Sequence, residues 1–516
     1  MRSFYIKNYV STFFHQKCLR ISRNFTNKTT FLNIFFVLCF DLLYFCFVLI
    51  RICKNNNVNY NDMEKRWFVF MGILLAITVI GCFVPSQPDI WTLSDNINLA
   101  DVAWLLTATI FVLMMTPGLS LFYGGMVRKK NIISTILQSI VAMGLISVIW
   151  VFCGFSLAFG DDVAGIVGNP ATYFFMHNVG GQATDKLSTQ LGLTIPLALY
   201  ALFQMKFAII TPSLITGSFA ERVRFSGYMV FMALFCLFIY CPLAHCTWHP
   251  DGLFAQMHVK DFAGGIVVHA SSGVAALVGA LFLGKRRNLE SQPANIPYVV
   301  LGASMLWLGW FGFNAGSSLA ANEVAVKAFL NTNTAAATAM LTWLFFDGIR
   351  GRKPSAMGAS VGGVVGLVAI TPSAGWVSTS ESVLIAFVTT LICNAACYIK
   401  NKKTAVDDAL DVFPTHGLGG IVGTLLTGIF VYKYEPELAE EGVTHLQFFI
   451  NHVIAVIVVF VYTFGVSYGL YWITNKMIPM RVGADCEEIG LDRSQHDEHY
   501  GRLREIAEYD EKNLEI

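Results

Sequence analysis

Between Ala100 and Thr474 the chain is a series of apolar runs about 20 residues long, separated by short polar connectors. A helix advances about 1.5 Å per residue, so a run of this length matches the roughly 30 Å hydrocarbon core of a bilayer. In hydrocarbon the backbone must satisfy its own hydrogen bonds, and a helix does so within one segment. Composition agrees: 55% of the 516 residues are hydrophobic and 13% are charged, whereas a soluble protein carries about a quarter charged. An all-α polytopic membrane protein is expected. The formal net charge of +1 says little, because charge is segregated into the connectors. No enzyme activity, cofactor, metal site or nucleic-acid partner is expected.

Eleven transmembrane helices are predicted, over residues 101–123, 132–158, 193–216, 226–246, 262–284, 297–315, 323–347, 356–371, 382–400, 413–432 and 447–475. Every connector after an odd-numbered span is basic: Arg128-Lys129-Lys130, Arg222 with Arg224, Lys285-Arg286-Arg287, Arg350 with Arg352-Lys353, and Lys400 with Lys402-Lys403; Lys476 and Arg481 follow the last span. Connectors after even-numbered spans hold scattered lysines such as Lys186, Lys260 and Lys433. Basic connectors stay cytoplasmic. The expected setting is the plasma (inner) membrane, with the start of the first span outside and the C-terminus in the cytoplasm.

Met63-Glu-Lys65-Arg66 precedes the apolar run Trp67–Val84, the order of a secretory signal. Val79-Ile-Gly-Cys82 resembles a short lipoprotein cleavage box. A signal begins near a start codon, so residues 1–62 are expected to be a non-native or unstructured extension, with translation starting at Met63. The alternative is a genuine extra helix, since Phe31–Cys53 is a further apolar run, broken by Asp41. The expected division is 1–62 extension, 63–85 signal-like segment, 86–476 transmembrane domain and 477–516 cytoplasmic tail. The twelve cysteines include no Cys-x-x-Cys pair; Cys393 and Cys397, one turn apart, read as small apolar helix residues rather than a metal or redox pair.

Two stretches share a lead-in. DFAGGIVVH (261–269) and DALDVFPTH (408–416) each place an Asp eight residues before a His. The first opens span 5 and the second opens span 10, which run in opposite directions. Ile210-Thr-Pro-Ser213 and Ile370-Thr-Pro-Ser373 close spans 3 and 8, again five spans apart and on opposite faces. Five is odd, so each match inverts topology. The predicted plan is an inverted 5+5 repeat followed by one long C-terminal helix, an arrangement in which transporters place the substrate path near the midplane.

On an ideal helix His269 lies about 12 Å deeper than Asp261 and roughly 80° away in azimuth. Asp261 is therefore expected to cap the helix start rather than to bond its own His. Asp408 has the same option, although Asp411 and Pro414 intervene and that helix could begin nearer Pro414. Either histidine alone reads as a packing residue. As a repeat-related pair they suggest two neutral imidazoles lining a path for a small hydrogen-bonding molecule. No third ligand supports a metal, and no ring of carboxylates suits a bare cation.

Aromatic residues cluster on the same spans: Phe203-Gln-Met-Lys-Phe207 in span 3, Gly309-Trp310-Phe-Gly-Phe313-Asn-Ala-Gly-Ser317 in span 6, and Trp248 after span 4. Trp248 and Ser317 fall near the outer mouth. A Trp face attracts cations and a serine oxygen accepts a hydrogen bond from one. The plainer readings are a membrane-interface Trp and core aromatics.

TPGLSLFYGGMVRKKN (116–131), FAERVRFS (219–226), DFAGGIVVH (261–269), GWFGFNAGS (309–317) and GLDRSQHDEHYG (490–501) resemble the ammonium transporter family (Amt/Mep/Rh), in its bacterial-type Amt branch, over about residues 99–500. The resemblance implies a homotrimer with one pore per subunit. It implies that Trp248, Ser317 and Phe207 recruit ammonium, that Phe207 and Phe313 gate the pore, and that His269 and His416 are the paired pore histidines. Asp261 is implied as an acidic residue near the outer site. In the family, ammonium is deprotonated, ammonia crosses the apolar pore, and net uptake is electrogenic. Ammonium or ammonia, membrane lipid and a PII-type regulatory protein at the cytoplasmic face are the implied partners. Two features depart from the pattern: Lys206, beside the gate, where a small or apolar residue is usual, and residues 1–62, which have no counterpart. The competing functions are an ammonium sensor and a passive ammonia or carbon dioxide channel of Rh type.

Overall fold

The computed structural model describes residues 62–85, 88–290 and 293–501. The extension expected over 1–62, with its second apolar run, lies outside the described residues apart from Asp62, as does the end of the tail. A first unit, described on its own, contains the unbroken helix Asp62–Gly81, which spans nearly all of the signal-like segment.

In the second unit a helix occupies each of the eleven predicted intervals. These are α1 Leu99–Met126, α2 Lys129–Phe159, α3 Leu197–Ile215, α4 225–248, α5 Gly265–Leu283, α6 Ile296–Ala315, α7 Glu323–Ile349, α8 Ala356–Ile370, α9 Thr379–Lys403, α10 413–430 and α11 His445–Met477. Among the described residues, eight helices are long and apolar enough to cross a membrane. Outward faces expose Ile110, Phe345 and Val461, each more than 60% accessible, an apolar surface suited to lipid. The protein is an all-helical, multi-pass membrane protein. Its described strands are the two-residue pair β1 Asp162–Val163 and β2 Val167–Gly168, antiparallel with Asp162 opposite Gly168.

Sequence-local signals set most helix ends. Asn98, Asn295, Asn322, Ser355, Ser378 and Thr444 each accept a backbone N–H at the start of α1, α6, α7, α8, α9 and α11, which satisfies donors that have no intrahelical partner. Ser378 and Glu381 complete a reciprocal capping box.

Charge on the face with basic connectors is locked into a network. Glu221 pairs with Arg128 at 2.7 Å and Arg286 at 3.1 Å, and Arg286 pairs with Asp407 at 2.8 Å. Arg222 reaches the Asp407 carbonyl at 2.6 Å. Burial raises the Glu221 carboxyl, yet Arg128 and Arg286 hold it below its usual value. The scattered lysines of the opposite face are also paired: Lys186 with Asp251, Lys260 with Glu435 and Lys433 with Glu381, at 2.8, 2.6 and 2.5 Å.

The tail folds back on the connectors of its own chain. Helices α12 Ala484–Ile489 and α13 Leu491–His496 lie beside the start of α2. Leu491 N donates to Asn131 Oδ1, Ser134 N donates to Asp492 Oδ1, and Phe225 N donates to Gln495 Oε1, each at 2.8 Å. Asp492 thus caps α2 from a distance of more than 350 residues in sequence. Asp492→Ala should cost about 1 kcal/mol of docking, the usual worth of a helix cap. Limited proteolysis should then cut the tail about fivefold faster at Arg493; an unchanged rate would show that the cap does not hold the tail.

Candidate functional site

The two Asp-x7-His stretches build equivalent turns. Asp261 Oδ1 accepts Gly264 N and Gly265 N at 2.7 Å, and its Oδ2 accepts Ile266 N at 2.8 Å. Asp408 Oδ2 accepts Phe413 N at 2.8 Å. Ile266 and Phe413 each stand five residues after their Asp, so the same oxygen makes the same bond in both copies. The Asp caps its helix, as its spacing suggested, and does so in the second copy despite Asp411 and Pro414.

The ideal-helix distances require correction. Residues 262–264 are a turn, with Gly264 at φ +122°, and helix begins only at Gly265. The first turn of each copy is then π-helical, over Gly265–Ala270 and Phe413–Gly417, with His269 N bonded to Gly264 O five residues back at 3.0 Å. The eight-residue rise and azimuth of an α-helix are therefore not realised. A wide π-turn re-aims one side chain, and such turns recur at functional sites; here each holds one histidine.

His269 and His416 meet. Both are buried, their Nδ1 atoms lie 3.3 Å apart, and their rings are near-parallel at 5.4 Å. Small residues four positions past each His permit the approach. A Cβ on Gly273 would lie 2.2 Å from Gly417 Cα, and one on Gly420 would lie 2.8 Å from Ala270 N. Each glycine packs against the residue following the other copy's histidine.

Above the pair stand the aromatic residues. Phe207 stacks on Phe313 at 4.1 Å and 24°, and Trp248 meets Phe207 edge-on at 5.9 Å. Trp248 Nε1 donates to Asp261 O at 2.9 Å, so the Asp that caps α5 also holds the indole. Ser317, one turn past Phe313, donates to the Phe313 carbonyl at 2.8 Å, which leaves its oxygen lone pairs available. Asp261 itself is buried and spends both carboxylate oxygens on backbone N–H groups.

Beneath the stacked rings lies a narrow cavity with room for about one water-sized molecule. Its only polar lining residues are His269 and His416; the rest are apolar side chains of α1, α3, α5 and α6, including Leu119, Leu214 and Leu306. His269 Nε2 is buried and has no hydrogen-bond partner. A buried polar atom left unpaired is costly, and this one belongs to a residue lining the cavity.

Sequence reasoning passed over two contributors. Trp310, quoted within its motif, stacks on His269 at 5.3 Å and 14°, and its Nε1 donates to Thr371 Oγ1 at 2.9 Å. Thr371 belongs to the second Ile-Thr-Pro-Ser copy, so that echo supports the ring that stacks on His269. Gly273 and Gly420 extend the repeated pattern to Asp-x7-His-x3-Gly, a signal visible in the sequence. The Lys206 ammonium lies 3.8 Å from Met205 Sδ, and no carboxylate pairs with it among the described residues. No group of three metal-ligating side chains occurs among the described residues.

Fold and site together define a multi-pass membrane protein with a narrow, apolar cavity lined by two histidines. Residues 103–500 match the family model described as the Ammonium Transporter Family. The ammonium transporter of Aquifex aeolicus is 39% identical over 433 residues, covering 83% of this chain and 98% of that protein. That of Bacillus subtilis is 38% identical over 404 residues, covering 78% and 98%. The crystal structure of Saccharomyces cerevisiae Mep2 superposes with a TM-score of 0.69 at 34% identity, over 76% of this chain and 89% of that one. A protein named Sensor Amt Protein superposes with a TM-score of 0.70 at 29% identity, over 77% and 98%. The chain belongs to the ammonium transporter family.

Proposed function

We propose that the protein carries ammonium across the plasma membrane into the cytoplasm, recruiting the cation at Trp248, Ser317 and Phe207 and passing ammonia by His269 and His416. The observation that carries this reading is the buried, unpaired Nε2 of His269, a residue that lines an apolar cavity. An isolated cation is too costly to bury in such a passage, whereas ammonia both donates and accepts. The Nδ1–Nδ1 contact needs one proton between two rings. The ring that donates it has a bare Nε2, and the other carries Nε2–H, so the pair offers one acceptor and one donor. The Phe207–Phe313 stack then has to part for entry. Deprotonation above the stack releases a proton outside the apolar segment; ammonia alone carries no charge across, so electrogenic uptake requires that proton to cross as well, by a route separate from the ammonia.

The wider reading comprises eleven spans in an inverted 5+5 repeat plus α11, a cytoplasmic tail, a cleaved signal over 63–85 and a homotrimer. A PII-type protein would dock on the cytoplasmic connectors. Ammonium pulses on proteoliposomes adsorbed to an electrode should evoke transient currents; intact protein giving none would refute transport. Ammonium binding without flux would instead support a sensor, the reading favoured by the likeness to the sensor protein. A passive gas channel has no use for a cation site at Trp248.

Lys206 adjoins Phe207. In general, like charges separated by roughly 15 Å repel by about 1 kcal/mol at an effective dielectric of about 20. Lys206→Met should therefore lower the half-saturating ammonium concentration about fivefold. An unchanged value would mean that the lysine is uncharged or screened.

A further inference from the structure

We propose that His245 and Asp162 form a proton-dependent positioning pair that sets Trp248 over the passage, so that affinity for ammonium falls as the outer medium turns alkaline. The proposal rests on the reading of Trp248 as a recruitment residue. His245 is buried in α4, one turn before Trp248. Its Nδ1 lies 3.0 Å from the Ala158 carbonyl oxygen and its Nε2 lies 2.9 Å from Asp162 Oδ1. The carbonyl oxygen can only accept. Asp162 Oδ1 already accepts Gly165 N–H at 2.7 Å. Both ring nitrogens thus face acceptors, and only the doubly protonated ring donates to both. A neutral ring turns a lone pair toward one oxygen and forfeits a charge-assisted bond.

The mechanical consequence follows from what the three atoms belong to. Ala158 is in the last turn of α2, where carbonyls have no intrahelical donor. Asp162 opens the β1–β2 hairpin, which also grips the segment after α4 through Leu253 N to Gly165 O at 2.8 Å. One imidazole therefore ties the end of α2, the hairpin and the last turn of α4 together. Trp248 ends that turn, and its other restraints are the Asp261 carbonyl and the edge contact with Phe207.

Several charged groups surround the ring. Asp161 adjoins Asp162, and Asp251 lies on the turn beyond α4, where Lys186 pairs with it at 2.8 Å. Cys246 is the next residue of α4. His249 stacks on His245 at 4.4 Å and 19°, but its Nδ1 accepts Asp251 N–H at 3.1 Å and so carries no proton. Three carboxylates against one paired lysine leave a local excess of negative charge.

The test is the half-saturating ammonium ion concentration of proteoliposome currents across outer pH values of about 5.5 to about 8.5, the range in which an imidazole titrates. Wild type should weaken about tenfold toward alkaline pH, the worth of one charge-assisted hydrogen bond. In Asp162→Asn no carboxylate faces Nε2, so the charge-assisted bond is absent at every pH and the change should shrink below about twofold. His245→Gln, with one donor and one acceptor at fixed charge, should likewise be flat. A wild-type pH profile in Asp162→Asn would overturn the pair. Hydrogen exchange over residues 241–252, corrected for intrinsic rates, should quicken at alkaline pH in wild type only; equal protection at both ends of the range would also overturn it. If no form gives current while this exchange still depends on pH, the transport reading fails and the pair stands.

Discussion

His269→Leu should lower ammonium-evoked current about 10- to 100-fold while leaving the half-saturating concentration within about twofold, because burying an amine-sized polar molecule without a partner costs about 1–3 kcal/mol. Leucine fills nearly the same space, so the cavity stays narrow. It removes the one unpaired nitrogen assigned to the passage and also strips His416 Nδ1 of its partner at 3.3 Å. In the proposed reading recruitment rests on Trp248, Ser317 and Phe207, of which Trp248 and Phe207 meet edge-on at 5.9 Å, so binding at the mouth should persist. His416→Leu should act in the same direction. The double variant should lose little beyond the worse single one, since groups that act as a unit are far from additive. Proteoliposome currents together with labelled methylammonium uptake read the effect. Unchanged uptake in His269→Leu would remove the imidazole pair from the mechanism.

How much of this was legible in the sequence depends on the scale of the signal. The membrane class and all eleven helical intervals follow from runs of about 20 apolar residues, since length and hydropathy are local properties. Asp261 and Asp408 were legible as caps because a carboxylate at a helix start has one obvious use. The approach of His269 to His416 was not a matter of spacing within either stretch. It required two matched stretches, opposite directions, and the glycines that let the backbones close. The π-turns at Gly265 and Phe413 were illegible: counting at 3.6 residues per turn assumes the regular helix that these residues abandon. Trp310 lay inside a quoted motif, but its role depends on the Thr371 hydroxyl, 61 residues away. The tail illustrates the same limit. GLDRSQHDEHYG reads either as a contact with a neighbouring subunit or loop or as a solvated polar terminus, and only the fold shows Asp492 capping α2. Lys206 is the residue that departs from the family pattern and that the fold leaves without a carboxylate among the described residues.

Gly273→Ala and Gly420→Ala should each destabilise the protein by about 1–3 kcal/mol, the range for overpacking a filled interior, and each should reduce transport at least about tenfold. The new Cβ on Gly273 would stand 2.2 Å from both Gly417 Cα and Gly417 N, and that on Gly420 would stand 2.5 Å from Gly265 O. These neighbours are backbone, so no side chain can rotate away and α5 must part from α10. The histidine contact has no slack to absorb this, because Nδ1 to Nδ1 is already 3.3 Å and a neutral nitrogen–nitrogen bond weakens steeply beyond about 3.2 Å. Separation by even an ångström would break the shared proton and leave each imidazole singly solvated by whatever enters. The control lies on α11, where Gly465 and Gly469 have nothing within 4 Å of an added Cβ. Alanine there should be neutral or stabilising by up to about 1 kcal/mol, because glycine is the poorer helix former. Thermal unfolding in detergent and proteoliposome currents should therefore separate the two pairs. If Gly273→Ala behaved like Gly465→Ala, the close crossing of α5 and α10 would not be what holds the histidines together.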